Sequence, residues 1–286
     1  GIGSLSAAFL NRWKSGGFDF RHVEVDAFEL DQTLIPYLSD TLKKYKKQCN
    51  LVANIYDKDF IRVASEFVSG SLFSKQLEGY THAILNPPYK KINRNSEHRL
   101  LLRHAGIETV NLYSAFVALS IALMIPGGQV VAIIPRSFYN GPYYRPFRKF
   151  ILERTAIRHM HLFHSRNKTF KDDKVLQENV IIRLEYGGQQ DTVTISTSTS
   201  DNFSDLVFHD YPIEKIVFPE DSEQFIHIPT SPEINAIEQS SKIRCTLADI
   251  GIKVSTGPVV DFRLKSHLRD MPEENTVPLL YPGHFK

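Results

Sequence analysis

Apolar positions in this chain recur at helical spacing, then at strand spacing, and the alternation repeats. Behind Gly1-Ile2-Gly3, Ser4 to about Lys14 predicts a helix; His22 to Leu30 then alternates as a β-rich strand. Between Leu34 and about Gln48, residues Leu34, Leu38, Leu42 and Tyr45 fall on one helical face, and Leu51 to Asp57 predicts the next strand. Thr81 to Leu85 is a further strand. Asn111 to Met124 is apolar around nearly its whole circumference, which predicts a buried helix stopped by Pro126-Gly127-Gly128. Gln129 to Ile134 is an uninterrupted apolar run of the kind found in central parallel strands. A basic helix, Pro142 to Thr155, and two strands, Ile157 to Phe163 and Asn179 to Leu184, follow. This rhythm predicts a doubly wound parallel α/β sheet.

Composition narrows the class without changing that picture. The 286 residues are 42% hydrophobic and 23% charged, an ordinary globular balance. Cys49 and Cys245 lie far apart, so neither a disulfide framework nor a cysteine-rich metal site is expected, and a reducing cytoplasm fits. The longest apolar stretch, Leu112 to Pro126, is shorter than the roughly 20 residues a membrane span needs. No zinc-ligand spacing is present, and no metal is expected.

Charge is segregated along the chain. Residues 90–183 hold 16 Lys and Arg against 6 Asp and Glu, whereas residues 184–286 hold 8 against 16. A basic middle third suits a phosphate backbone, with Lys90, Lys91, Arg94, Arg166 and Lys168 as candidate contacts.

The candidate chemistry sits where the strand ending at Leu85 meets Asn86-Pro87-Pro88-Tyr89. Two prolines fix φ and donate no backbone hydrogen bonds, so the chain must leave the sheet there. The Asn86 amide oxygen, the Pro87 carbonyl and the flat ring of Tyr89 then converge at one strand end. That set suits a planar aromatic amine, whose N–H hydrogens must be held while its lone pair faces an electrophile.

This tetrapeptide after an apolar strand resembles the adenine-N6 DNA methyltransferases of restriction-modification systems, the bifunctional enzymes in which target recognition follows catalysis among them. The resemblance implies a Rossmann-like sheet that binds S-adenosylmethionine. It implies that Gly1 and Gly3 belong to the cofactor's glycine turn, that Glu29 takes the ribose hydroxyls, and that Asp59 and Phe60 hold the adenine of the cofactor. Asp59 read by itself equally suits a helix N-cap. Asn86, Pro87 and Tyr89 are implied as the catalytic set, and Phe170 as a second ring that clamps a flipped base against Tyr89. The acidic residue and further glycines that the family carries just before the Gly1-Ile2-Gly3 turn are absent, so the first strand is expected to lie upstream of Gly1.

The domains implied are a catalytic domain over 1–190, a connecting segment over 191–223 with a solvent-facing strand from Thr192 to Ser200, and the start of a recognition region over 224–286. A short helix is expected from Glu233. Double-stranded DNA is the expected partner, with nuclease and recognition domains possible on the full-length chain, in the cytoplasm of a bacterium or archaeon. Two rivals are a protein-glutamine methyltransferase, which shares the tetrapeptide but lacks a long C-terminal region, and a non-catalytic DNA-binding subunit with a degenerate cofactor site.

Overall fold

Val23–Phe28 (β1) and Leu51–Tyr56 (β2) pair in parallel in the computed structural model, forming a two-stranded sheet of their own. The structure describes residues 1–70, 79–163, 178–228, 245, 247, 249–253 and 264–280. Helices Ser4–Lys14 (α1) and Ile35–Lys46 (α2) bury Leu10, Leu38 and Leu42 against the apolar face of that sheet, Val23, Val25, Ala53 and Ile55. Leu38 and Leu42 are one turn apart, which is why the helical face read from the sequence becomes a core face.

The second sheet has six strands in the order β3-β4-β6-β5-β7-β8, namely Tyr80–Leu85, Met124–Pro135, Asn179–Tyr186, Thr155–Phe163, Thr192–Ser198 and Val207–Pro212. Helices Phe60–Val68 (α3), Glu97–His104 (α4), Leu112–Ala122 (α5) and Arg145–Arg154 (α6) complete the pattern. The α/β class holds, but the sheet is mixed: β3 and β4 are parallel, whereas β6 is antiparallel to both β4 and β5. Its core is built by α5, whose Ala115, Val117, Ala118, Leu119 and Ile121 are buried, with Val130, Ala132 and Ile134 from β4 and Val180, Ile182 and Leu184 from β6. The period-2 spacing of the last six residues identifies the covered face of each strand.

Two expectations are corrected. Pro126-Gly127-Gly128 does not separate α5 from its strand; it lies inside β4, where the pairing with β3 jumps from Tyr80–Met124 to His82–Gln129 and Gly127 takes φ of 80°. A glycine accommodates that bulge because it has no Cβ to clash. The strand from Thr192 is not solvent-facing, since Val193, Ile195, Ser196 and Ser198 are buried between β5 and β8. Through β7 and β8, the stretch 191–223 therefore contributes to the main sheet. The helix expected from Glu233 lies outside the described residues.

The two sheets are joined by side chains, with the Tyr80 hydroxyl donating to Asp26 Oδ2 at 2.6 Å. Burial, with Asp26 beside it, pushes that phenol well above its ordinary pKa, so it remains a donor. By contacts, Gly1–Ile237 form one unit and Glu238–Lys286 another, in which Arg269 pairs with Glu273 at 3.0 Å. Among the described residues, no helix is long and apolar enough to cross a membrane.

Candidate active site

β3 delivers Asn86 at its C-terminal end, and the chain leaves the sheet through Pro87 and Pro88. Asn86 is exposed, Pro87 is buried, and Tyr89 is half-buried. The Tyr89 hydroxyl lies 3.0 Å from Asn86 Oδ1 and 3.3 Å from the Ile133 carbonyl on β4. Its ring meets Tyr113 edge-on, at 6.3 Å and 89°. Among the described residues no donor reaches the Pro87 carbonyl. Asn86 and Tyr89 are thus brought together, and the Pro87 carbonyl between them in the chain takes no backbone donor among the described residues.

The residues after the turn are tied to the start of α5. Lys91 forms an antiparallel bridge with Asn111, Ile92 N–H donates to the Val110 carbonyl at 2.8 Å, and Leu112 N–H donates to the Lys90 carbonyl at 2.8 Å. These bonds seat the turn on the start of α5. The side chains of Lys90, Lys91 and Arg94 remain exposed.

Asp59 is the N-cap of α3: its Oδ1 accepts from Ile61 N–H at 2.8 Å and from Arg62 N–H at 3.4 Å. Its Oδ2 lies 2.6 Å from His98 Nε2 on α4. Phe60 stacks on Phe116 of α5 at 5.1 Å and meets Phe28 edge-on at 5.3 Å. Phe28 ends β1, so this contact ties the Asp59 end to Glu29. Glu29 in turn accepts from Asp31 N–H at 2.8 Å. Gly3 has φ of 88°, and a Cβ there would stand 2.9 Å from Leu38 Cδ1. Only glycine serves at that position.

Two groups of rings, both anchored on α5, lie at the predicted parts. Phe28 touches Phe60, Phe60 touches Phe116, and Tyr113, three residues earlier on α5, touches Tyr89. Residues three apart share one helix face, so α5 serves both ends of the site. Neither Phe116 nor Tyr113 was marked by the sequence, because a ring in an all-apolar helix carries no periodic signal of its own. His98 was also missed. Phe170, Arg166 and Lys168 lie outside the described residues.

Much of the basic surplus has internal work. Arg148 is fully buried and donates to the carbonyls of Phe138, Gly141 and Glu223 at 2.8–3.1 Å. Arg99, also buried, pairs with Glu108; Arg136 pairs with Glu178; Arg158 pairs with Glu185 at 2.9 Å. Arg154 lies 4.6 Å over the Phe150 ring. A phosphate-facing role is left to fewer cations than the count of 16 suggests.

Residues 9–170 match the family model described as Eco57I restriction-modification methylase. The chain is 55% identical to the Type II methyltransferase M.BsuBI of Bacillus subtilis and 38% identical to the Type II methyltransferase M.PstI of Providencia stuartii. Each alignment covers all of this chain and 57% of the relative, so the chain spans little more than half the length of these curated relatives. Its fold is shared with a modification subunit of a putative type I restriction enzyme from Vibrio vulnificus YJ016, at a TM-score of 0.54 and 10% identity over 74% of this chain and 49% of that one. By the extent of the model match, the chain belongs to the Eco57I restriction-modification methylase family.

Proposed function

We propose that this chain carries the catalytic core of a DNA methyltransferase that transfers a methyl group from S-adenosylmethionine to the N6 amine of an adenine flipped out of duplex DNA. The observation that carries the reading is the end of β3, where Asn86 Oδ1 stands beside the Tyr89 hydroxyl and the following residue, Pro87, has a carbonyl that takes no backbone donor among the described residues. Two acceptors at that spot match the two hydrogens of an exocyclic amine. The names of the two relatives support the reaction class and disfavour both a glutamine methyltransferase and a non-catalytic subunit.

The described residues fit the cofactor. Glu29, with only 12% of its side chain exposed, stands at the tip of β1 beside the glycine turn, where it can take ribose hydroxyls. Asp59 has about four lone-pair sites, of which Ile61 N–H, Arg62 N–H and His98 use three, leaving one for an amino group. Phe60 offers the adjoining ring. When bound, S-adenosylmethionine supplies an electrophilic methyl on a sulfonium.

The chain's own residues then position and polarise the amine. Asn86 Oδ1 and the Pro87 carbonyl hold its hydrogens, turning the nitrogen lone pair away from the base. As positive charge grows on the nitrogen, both acceptors bind it more strongly, which favours the transition state over the ground state. Tyr89 supplies one stacking face, and Phe170 the opposite one. Lys90, Lys91, Arg94, Arg166 and Lys168 meet the phosphate backbone, and residues 224–286 open the target-recognition region.

The test is labelled-methyl transfer to duplex DNA by the full-length protein, followed by nucleoside analysis. N6-methyladenine is the expected product; label in N4-methylcytosine, or no transfer at all, overturns the reading.

A further inference from the structure

We infer that His98 is a positioning residue for the cofactor end of the site, fixing the Asp59 carboxylate that takes the adenine amino group of S-adenosylmethionine. The inference rests on the role proposed above for Asp59.

An N-cap aspartate needs one oxygen for its helix. Asp59 uses Oδ1 in that way, accepting from Ile61 and Arg62 N–H, and a carboxylate held through one oxygen can still pivot about that anchor. His98 removes this freedom. Its Nε2 stands 2.6 Å from Oδ2, the spacing of a short hydrogen bond to a charged acceptor. Both carboxylate oxygens are then set in place, and the remaining lone-pair direction is defined before a ligand arrives.

His98 is itself held. It occupies the first turn of α4, capped by Ser96, and the neighbouring Glu97 pairs with Arg62 of α3 at 2.6 Å. The starts of α3 and α4 are thus tied twice, at Asp59–His98 and Arg62–Glu97. The Arg62–Glu97 pair is open to water, with side chains 49% and 59% exposed, and is of the kind that contributes little. The Asp59–His98 pair is more enclosed, at 26% and 35% exposed. Moreover, α4 belongs to the segment that continues from Asn86-Pro87-Pro88-Tyr89. A side chain from the target-base side of the turn therefore completes the cofactor side.

The experiment uses the full-length protein and measures equilibrium binding of S-adenosylhomocysteine by calorimetry, with thermal midpoints recorded in parallel. His98→Ala is expected to weaken binding roughly tenfold, the scale of one hydrogen bond to a charged group, with little change in midpoint. His98→Gln, which keeps an N–H donor, restores most of the affinity. In the Asp59→Ala background, removing His98 has no further effect. Unchanged affinity in His98→Ala, beside weakened binding in Asp59→Ala, sinks the inference and leaves the role of Asp59 standing. Unchanged affinity in Asp59→Ala sinks the underlying assignment and the inference with it. Should His98→Ala fail to fold, nitrogen NMR of the wild-type imidazole decides: a His98 signal that does not respond to S-adenosylhomocysteine overturns the proposal.

Discussion

The Tyr89 hydroxyl stands 3.0 Å from Asn86 Oδ1, so the ring proposed to stack on the base also touches the amide proposed to hold its amine. The two roles are therefore coupled through one hydrogen bond. Asn86→Ala removes the acceptor outright and is expected to lower methyl transfer by about 10²-fold or more, the scale for losing one oriented polar group in a site. Single-turnover transfer of labelled methyl measures this, and near wild-type turnover would refute the catalytic role of Asn86.

Tyr89→Phe separates the two functions of that tyrosine. The ring stays, but Asn86 loses the hydroxyl that orients it, and transfer should fall by roughly tenfold, the worth of one hydrogen bond in a site. Tyr89→Ala loses stacking as well and should fall further. Equal rates for the phenylalanine and alanine variants would show that the ring contributes nothing.

Arg148 is the residue whose removal should cost the most stability. Its guanidinium is fully buried and satisfies carbonyls at Phe138, Gly141 and Glu223, stitching the segment after β4 to the segment around Glu223. Lysine keeps the charge but cannot match a fork of donors. Arg148→Lys is expected to destabilise the chain by about 3 kcal/mol, read as a shift in the urea midpoint, because several buried carbonyls lose partners.

Acid should destabilise the fold through His159 and His227. Burial lowers both imidazoles from the ordinary value of 6.5, with Arg183 adding to the effect at His159. As pH falls below about 6.5 the unfolded chain takes up a proton before the folded one does, so stability is fully present above 6.5. It is lost as pH falls toward the folded values, by at most about 1.4 kcal/mol per pH unit for each group. Thermal midpoints between pH 7.5 and 5.5 should therefore drop, and His159→Gln should flatten the slope.

The parts of the site carried by backbone grammar were legible in the sequence. Proline pairs end strands, aspartates cap helices, and Leu38 with Leu42 marks a core face, because each is a local constraint. The mixed direction of β6 was not legible, since a strand that buries Val180, Ile182 and Leu184 on one face does so equally well in either orientation. Nor was the Asp59–His98 contact, which joins residues 39 positions apart and leaves no periodic trace. Arg148 misled for a related reason: a charge count cannot distinguish a cation facing solvent from one enclosed by carbonyls.

That α5 carries both Phe116, stacked on Phe60, and Tyr113, edge-on to Tyr89, has a consequence for redesign. Because Tyr113 and Phe116 share one face of α5, shaving Phe116 beside the proposed adenine-holding Phe60 to admit a bulkier alkyl donor would let the helix settle and move the Tyr113 ring that meets Tyr89. Donor scope and base fidelity are then not independent dials. Selection for one should drag the other, and variants that widen the first without blunting the second should carry paired changes at both helix positions.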